Sequence, residues 1–227
     1  MKDLESFGFG KVGDGEIYDR PRAVKRGFDI FDALGKLVNP KVILEIGSWE
    51  GASAISWANS CKESNVICVD TWLGSVEHYR DHLNGTEWGR DRLYIENGFP
   101  TIFKTFVSNI RINKIQDRVY PVTIDSKQAF IMLKDIGIKP DICYIDAAHD
   151  YESVMSDLKW AKKIGSKVIC GDDYYYFQNG NQIKRAVDEF CLYNNMRAVT
   201  KDDQFVIIDN FGKDVYSTLI QRGWHDC

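Results

Sequence analysis

The sequence of 227 residues has six cysteines but no Cys-x-x-Cys pair. Cys61, Cys68, Cys143, Cys170, Cys191 and Cys227 are scattered, and Cys68, Cys143 and Cys170 each sit inside a short aliphatic run. That argues against a zinc ribbon or a disulfide framework and predicts buried, reduced thiols in a cytoplasmic setting. No apolar run approaches membrane-spanning length, and the start MKDLESFGFGK lacks a signal-type apolar stretch, so no membrane partner is expected. The formal net charge of -4 gives no electrostatic footprint for nucleic acid. There is no repeat and no low-complexity linker. Two nucleotide signatures are also missing. Trp49 stands where a G-x-G-x-x-G turn needs its second close glycine, and no Gly-Lys-Ser/Thr follows to make a phosphate loop.

With 44% hydrophobic residues, the chain can bury a sizeable core as one large domain, or one domain with a small lid. Residues 1–40 read as a loose, glycine-rich polar arm followed by a helix over RPRAVKRGFDIFDALGKLV. Pro21 suits the first turn of that helix, and Val24, Phe28, Phe31, Leu34 and Val38 share one face. The Asn39–Pro40 pair ends it. From residue 41 to about 210, apolar strands alternate with helices. KVILEIG, NVICVD, DRVYPVTID, PDICYID and SKVICGDD are the strands, and RAVTKDDQFVIID is a closing antiparallel pair. Strands that are apolar almost throughout predict an α/β fold, a mostly parallel sheet with helices on both faces. Residues 211–227 read as a tail. The stretch from about 73 to 110 is too long for a plain connection and is expected to be a lid.

The chemistry collects at the strand ends, where such sheets bind their ligands. The first strand ends ILEIGSWEGAS. Glu45, Gly47, Ser48, Gly51 and Ser53 lie in this glycine turn, which lets backbone approach a ligand at a helix N-terminus, although a plain tight turn gives the same pattern. Asp70, with Thr71 and Trp72 after it, ends the second strand and is placed to accept ribose hydroxyls; the alternative is a helix cap. Asp125 and Ser126 end the third strand, to meet an adenine edge or to cap the next helix. Asp146 closes the fourth strand, His149 follows it, and Asp172 and Asp173 close the fifth. Three neighbouring carboxylates repel one another unless a divalent cation joins them; hard oxygen donors suit magnesium, calcium or manganese. Tyr174, Tyr175 and Tyr176 then begin a loop expected beside an acceptor.

The segments LEIGSWEGAS, VDTW, YIDAAHDYES and GDDY together resemble the class I S-adenosylmethionine-dependent methyltransferases. More narrowly, they resemble the metal-dependent macrocin and sugar O-methyltransferases. The resemblance covers residues 41–209. It implies a Rossmann-like, doubly wound, mostly parallel seven-stranded sheet with an antiparallel last strand pair and a lid insertion after the second strand. It also implies S-adenosylmethionine held by Glu45, Gly47 and Asp70, and Mg2+ or another divalent cation held by Asp146, Asp172 and Asp173. The expected reaction is O-methylation of a small-molecule acceptor such as a sugar or glycan, with Asp146 or His149 as base. Trp72, His78, His82 and Trp88 are candidates for the cofactor and acceptor walls. Ala148 departs from the family, which often carries a second acid there. The competing readings are a metal-independent N- or O-methyltransferase using His149, a nicotinamide-dependent oxidoreductase, and a non-catalytic cofactor-binding protein. The arm and lid offer surfaces for a homodimer.

Overall fold

The computed structural model describes residues 1–18, 27–86, 93–177, 180–209 and 213–227. Its strands in chain order are β1 (Val42–Ile46), β2 (Asn65–Asp70), β3 (Ile95–Glu96), β4 (Phe99–Pro100), β5 (Val119–Thr123), β6 (Ile142–Ile145), β7 (Val168–Gly171), β8 (Arg197–Lys201), β9 (Gln204–Ile208) and β10 (His225–Asp226). The main sheet runs β10-β8-β9-β7-β6-β1-β2-β5. β5, β2, β1, β6 and β7 are parallel, while β9, β8 and β10 pair antiparallel. The expected seven strands are present, and the two-residue β10 extends the edge. β3 and β4 form a separate small hairpin in the insertion.

Residues alternate between two apolar layers along each strand, as the pleat requires. Ile43, Val66, Cys68 and Tyr144 pack with Phe31, Trp57, Phe106 and Ile110 on one face. Leu44, Ile46, Ile67, Val69 and Cys143 pack with Phe130, Leu158 and Phe190 on the other. Helices 29–38, 52–60 and 102–112 therefore cover one face, and helices 126–135, 151–163 and 182–194 the other. Helix 29–38 buries Ile30, Phe31, Ala33 and Leu34 and ends where Asn39 takes a left-handed φ of 45°. Pro21 and Val24 lie outside the described residues. All six cysteines are free, and all but Cys227 are buried. Among the described residues, no helix is long and apolar enough to cross a membrane.

Three segments differ from what their composition suggests. The N-terminal arm is docked rather than loose: Leu4 is fully buried, and the Val12 N–H donates to the Val119 carbonyl at 3.0 Å. Arg111 holds it there, donating to the carbonyls of Gly13 and Glu16. Among the described residues of the insertion, helix 76–83 buries none of its residues. Helix 102–112 buries Ile102, Phe106 and Ile110 in the core. Residues 213–227 supply a helix over 213–221 and then β10, with Leu219 and Trp224 in the core.

Candidate active site

Register sets the site. Ile46 pairs with Val69 on one side and Ile145 on the other, and Ile145 pairs with Gly171. One step further, Asp70, Gly47, Asp146 and Asp172 therefore leave the sheet in a single row. The strand order reverses between β1 and β6, where a crevice opens in sheets of this kind. Gly47, at φ 88°, sits so close to Asp146 that a Cβ would collide with the Asp146 carbonyl. Gly171 is held just as tightly beneath the row by the Ile145 carbonyl and the Phe205 ring.

Three turns in this row use a left-handed non-glycine residue: Trp49 (φ 46°), Trp72 (φ 52°) and Asp173 (φ 61°). Such residues cost of order 1–3 kcal/mol each and need surrounding contacts to hold them. Carboxylates supply those contacts. Asp70 accepts from the N–H of Trp49 and of Trp72, each at 2.8 Å, and Asp172 accepts from the N–H of Asp173 at 2.8 Å. Burial pushes the Asp70 pKa up, against the backbone hydrogen bonds of Trp49, Trp72, Ser48 and Thr71, which favour its charge.

A cavity of about 530 Å³ opens above the row. Gly47, Ser48, Ser53, Asp70, Thr71, Asp125, Ser126, Asp146, His149 and Asp173 all line it. Asp125 does cap the next helix, accepting from the Gln128 N–H at 3.0 Å. Glu45 is fully buried below the turn and accepts from the Ser48 hydroxyl at 2.7 Å. Gly51 backs against Phe106. Trp72 turns inward, packs 4.9 Å from Phe106 and donates its indole N–H to the Trp49 carbonyl, so it braces the turn from outside the cavity. His78 reaches the cavity with its ring 4.1 Å from that of Trp49, whereas His82 is not among the lining residues. Burial draws the His78 pKa down to about 4. Trp88 lies outside the described residues.

Asp146, Asp172 and Asp173 each bring one carboxylate oxygen within 4.8 Å of the others. Asp172 is buried and also accepts from the Gln204 side-chain amide. Gln204 is fixed in turn by the Tyr144 hydroxyl at 3.0 Å. An all-carboxylate donor set of this spacing fits a hard divalent cation. His149 meets the group from the side, with Nε2 3.2 Å from Asp173 and Nδ1 3.0 Å from Glu77. Burial draws its pKa down, but the hydrogen bond and charge of Asp173, joined by Glu77, push it up to about 9. Tyr176 lies against its ring at 4.5 Å. Tyr174 instead points into the core and donates to Asp188, and Tyr175 and Phe177 are exposed. Sequence reasoning missed Glu77 because it lies 72 positions from His149 with no periodic signal to link them.

A family profile described as "Methyltransferase domain" matches residues 44–174, more than half of the chain and the whole of this strand-end row. The chain belongs to this family of methyltransferases. That membership selects methyl transfer over the nicotinamide-dependent alternative. Three solved structures share the methyltransferase's fold. The O-methyltransferase from Bacillus cereus, in complex with SAH, is 17% identical, with a TM-score of 0.55 over 84% of this chain and 85% of that one. TomG from Streptomyces achromogenes, an O-methyltransferase of tomaymycin synthesis in complex with SAM, is 15% identical, with a TM-score of 0.54 over 78% and 76%. The SAH-bound methyltransferase PaMTH1 from Podospora anserina is 15% identical, with a TM-score of 0.53 over 79% and 75%. The comparison with curated proteins gives no match.

Proposed function

We propose that this methyltransferase moves a methyl group from S-adenosylmethionine to a hydroxyl oxygen of a small molecule, with a sugar or another vicinal diol as the acceptor class. The observation that carries this reading is the carboxylate trio of Asp146, Asp172 and Asp173 beside a cavity that also takes in the glycine turn, Asp70, Asp125 and Ser126. In this reading Asp70 accepts the ribose hydroxyls while it holds the turns of Trp49 and Trp72. Asp125 and Ser126 meet the adenine. The sulfonium supplies an electrophilic methyl group to an in-line attack.

Asp146, Asp172 and Asp173 would hold a divalent cation, which when bound lowers the pKa of a coordinated hydroxyl and fixes its direction. Asp146 lines the cavity and is the group we assign to accept the acceptor's proton. In the metal-free arrangement Asp173 and Glu77 push the His149 pKa up to about 9, so there His149 is a cation that steadies Asp173 rather than a base. A cytoplasmic setting suits the buried free thiols. The decisive experiment measures turnover and S-adenosylmethionine binding for Asp172→Ala, with and without chelator. The expected result is loss of metal-stimulated turnover with cofactor binding nearly intact. Turnover that survives both the substitution and the chelator would sink the metal-dependent reading and favour the metal-independent one.

A further inference from the structure

Behind the end of β5 lies a buried acid that the chemistry above does not use. Asp157, in helix 151–163, is 4% exposed, and the Ser126 hydroxyl donates to its Oδ1 at 2.7 Å. Ser126 opens helix 126–135 and lines the cavity next to Asp125. We propose that Asp157 is a positioning residue: it takes the hydroxyl proton of Ser126, so that Ser126 Oγ acts as a hydrogen-bond acceptor for the purine amino group of the cofactor. This inference rests on the S-adenosylmethionine reading given above.

A serine hydroxyl has one proton and two acceptor lone pairs. When the proton is committed to an ionised Asp157, the oxygen can only accept from a ligand. A 6-amino purine offers an N–H to such an acceptor, and a 6-oxo purine offers a lone pair that is repelled. Once Asp157 is protonated, its own O–H can donate to Ser126, the serine O–H can turn toward the cavity and donate there, and the preference weakens. The surroundings place that change in reach. Burial pushes the Asp157 pKa up to about 6, opposed by the Ser126 bond and reinforced by Asp150 at the start of its own helix and Asp125 at the start of the facing one. Cys143 faces it from β6, and burial pushes that thiol's pKa well up, so it stays protonated. A merely structural tie between two helices would affect stability without altering which purine is preferred.

The test is calorimetric binding of S-adenosylhomocysteine and of its 6-oxo analogue, S-inosylhomocysteine, to the full chain. The wild type, Asp157→Asn and Ser126→Ala are each measured at about pH 5 and about pH 8, on either side of the carboxyl's titration. The wild type is expected to prefer the amino ligand by about 5- to 10-fold at the higher pH, the worth of roughly one hydrogen bond, and by less at the lower. Ser126→Ala should show a smaller preference, and in neither variant should the preference change with pH, because the amide of Asp157→Asn can still accept from Ser126 but does not titrate. A wild-type preference equal at both pH values, or one retained in Ser126→Ala, overturns the inference while leaving the cofactor reading intact. Absence of any binding of S-adenosylhomocysteine to the wild type overturns the cofactor reading itself, and this inference with it. Should Asp157→Asn not fold, as judged by circular dichroism, Ser126→Ala and the wild-type pH comparison still decide the matter.

Discussion

Asp70 accepts a hydrogen bond from the backbone N–H of Trp49 at 2.8 Å, joining the end of one strand to the turn that follows its neighbour. Its other oxygen holds Trp72 in the same way. One carboxylate thereby fixes two left-handed turns. Hydrogen bonds to charged groups are worth about 1.5–3 kcal/mol, partly offset here by release of a partly buried charge. Asp70→Ala should therefore lower unfolding free energy by about 2 kcal/mol in urea titrations. It should also abolish measurable S-adenosylmethionine binding, since the glycine turn loses its brace. Full binding by this variant would show that the turn holds itself.

Glu77 and Asp173 share the His149 imidazole from opposite sides. Both carboxylates favour the protonated ring, and Asp173 does so more strongly. Glu77→Gln should lower the His149 pKa from about 9, and Asp173→Asn should lower it further. Proton NMR titration of the ring in chelator-treated protein reads both shifts. An unchanged pKa in Glu77→Gln would mean that the insertion helix does not rest on His149 in solution.

Asp29 receives hydrogen bonds from the Arg222 guanidinium and the Trp224 indole, which tie helix 29–38 to the C-terminal segment. The Arg222 bond, with Trp224, Arg222 and Lys201 adding against some burial, lowers the Asp29 pKa from 3.8 to about 2. The folded state thus holds the carboxylate more tightly than the unfolded chain does. Its stabilising contribution is fully present above the unfolded value and is lost as pH falls through about 2. Melting temperatures followed from neutral to acid pH should show a smaller acid-side loss in Asp29→Asn than in the wild type, from a lower starting point.

Leu4 is fully buried although it lies in the first helix of the chain. Leu4→Ala should cost about 2–5 kcal/mol, as for other buried leucines. Chemical denaturation measures this directly, and a loss near zero would mean that the arm is detached in solution.

Much of the site was legible because it obeys local rules. A run such as VILEI, bounded by Pro40 and Gly47 and repeated between helical stretches, reads as a doubly covered strand, and the acids of VD, YID and CGDD then stand at strand ends. Parallel register does the rest, bringing Asp70, Asp146 and Asp172 level. The pairings that were not legible are tertiary. Nothing near Glu77 marks it as a partner of His149, and nothing in Asp157 distinguishes it from a solvated helix acid until Ser126 is seen to face it. Trp72 reads as a pocket wall by its place after Asp70, but its left-handed backbone turns the ring into the Phe106 packing instead. The docked arm was illegible because its anchors, Leu4, a few backbone hydrogen bonds and the Arg111 guanidinium, carry no periodic signal.

The Tyr144–Gln204–Asp172 chain of hydrogen bonds runs beneath the carboxylate trio from β6 and β9, whereas the insertion leaves the sheet after β2. Foundation and roof thus come from separate stretches of polypeptide. Residues of the roof that touch neither Trp49 nor His149, such as Leu73 and Leu83, can be randomised in a library without disturbing the foundation. A change in the one can therefore be inherited without a change in the other.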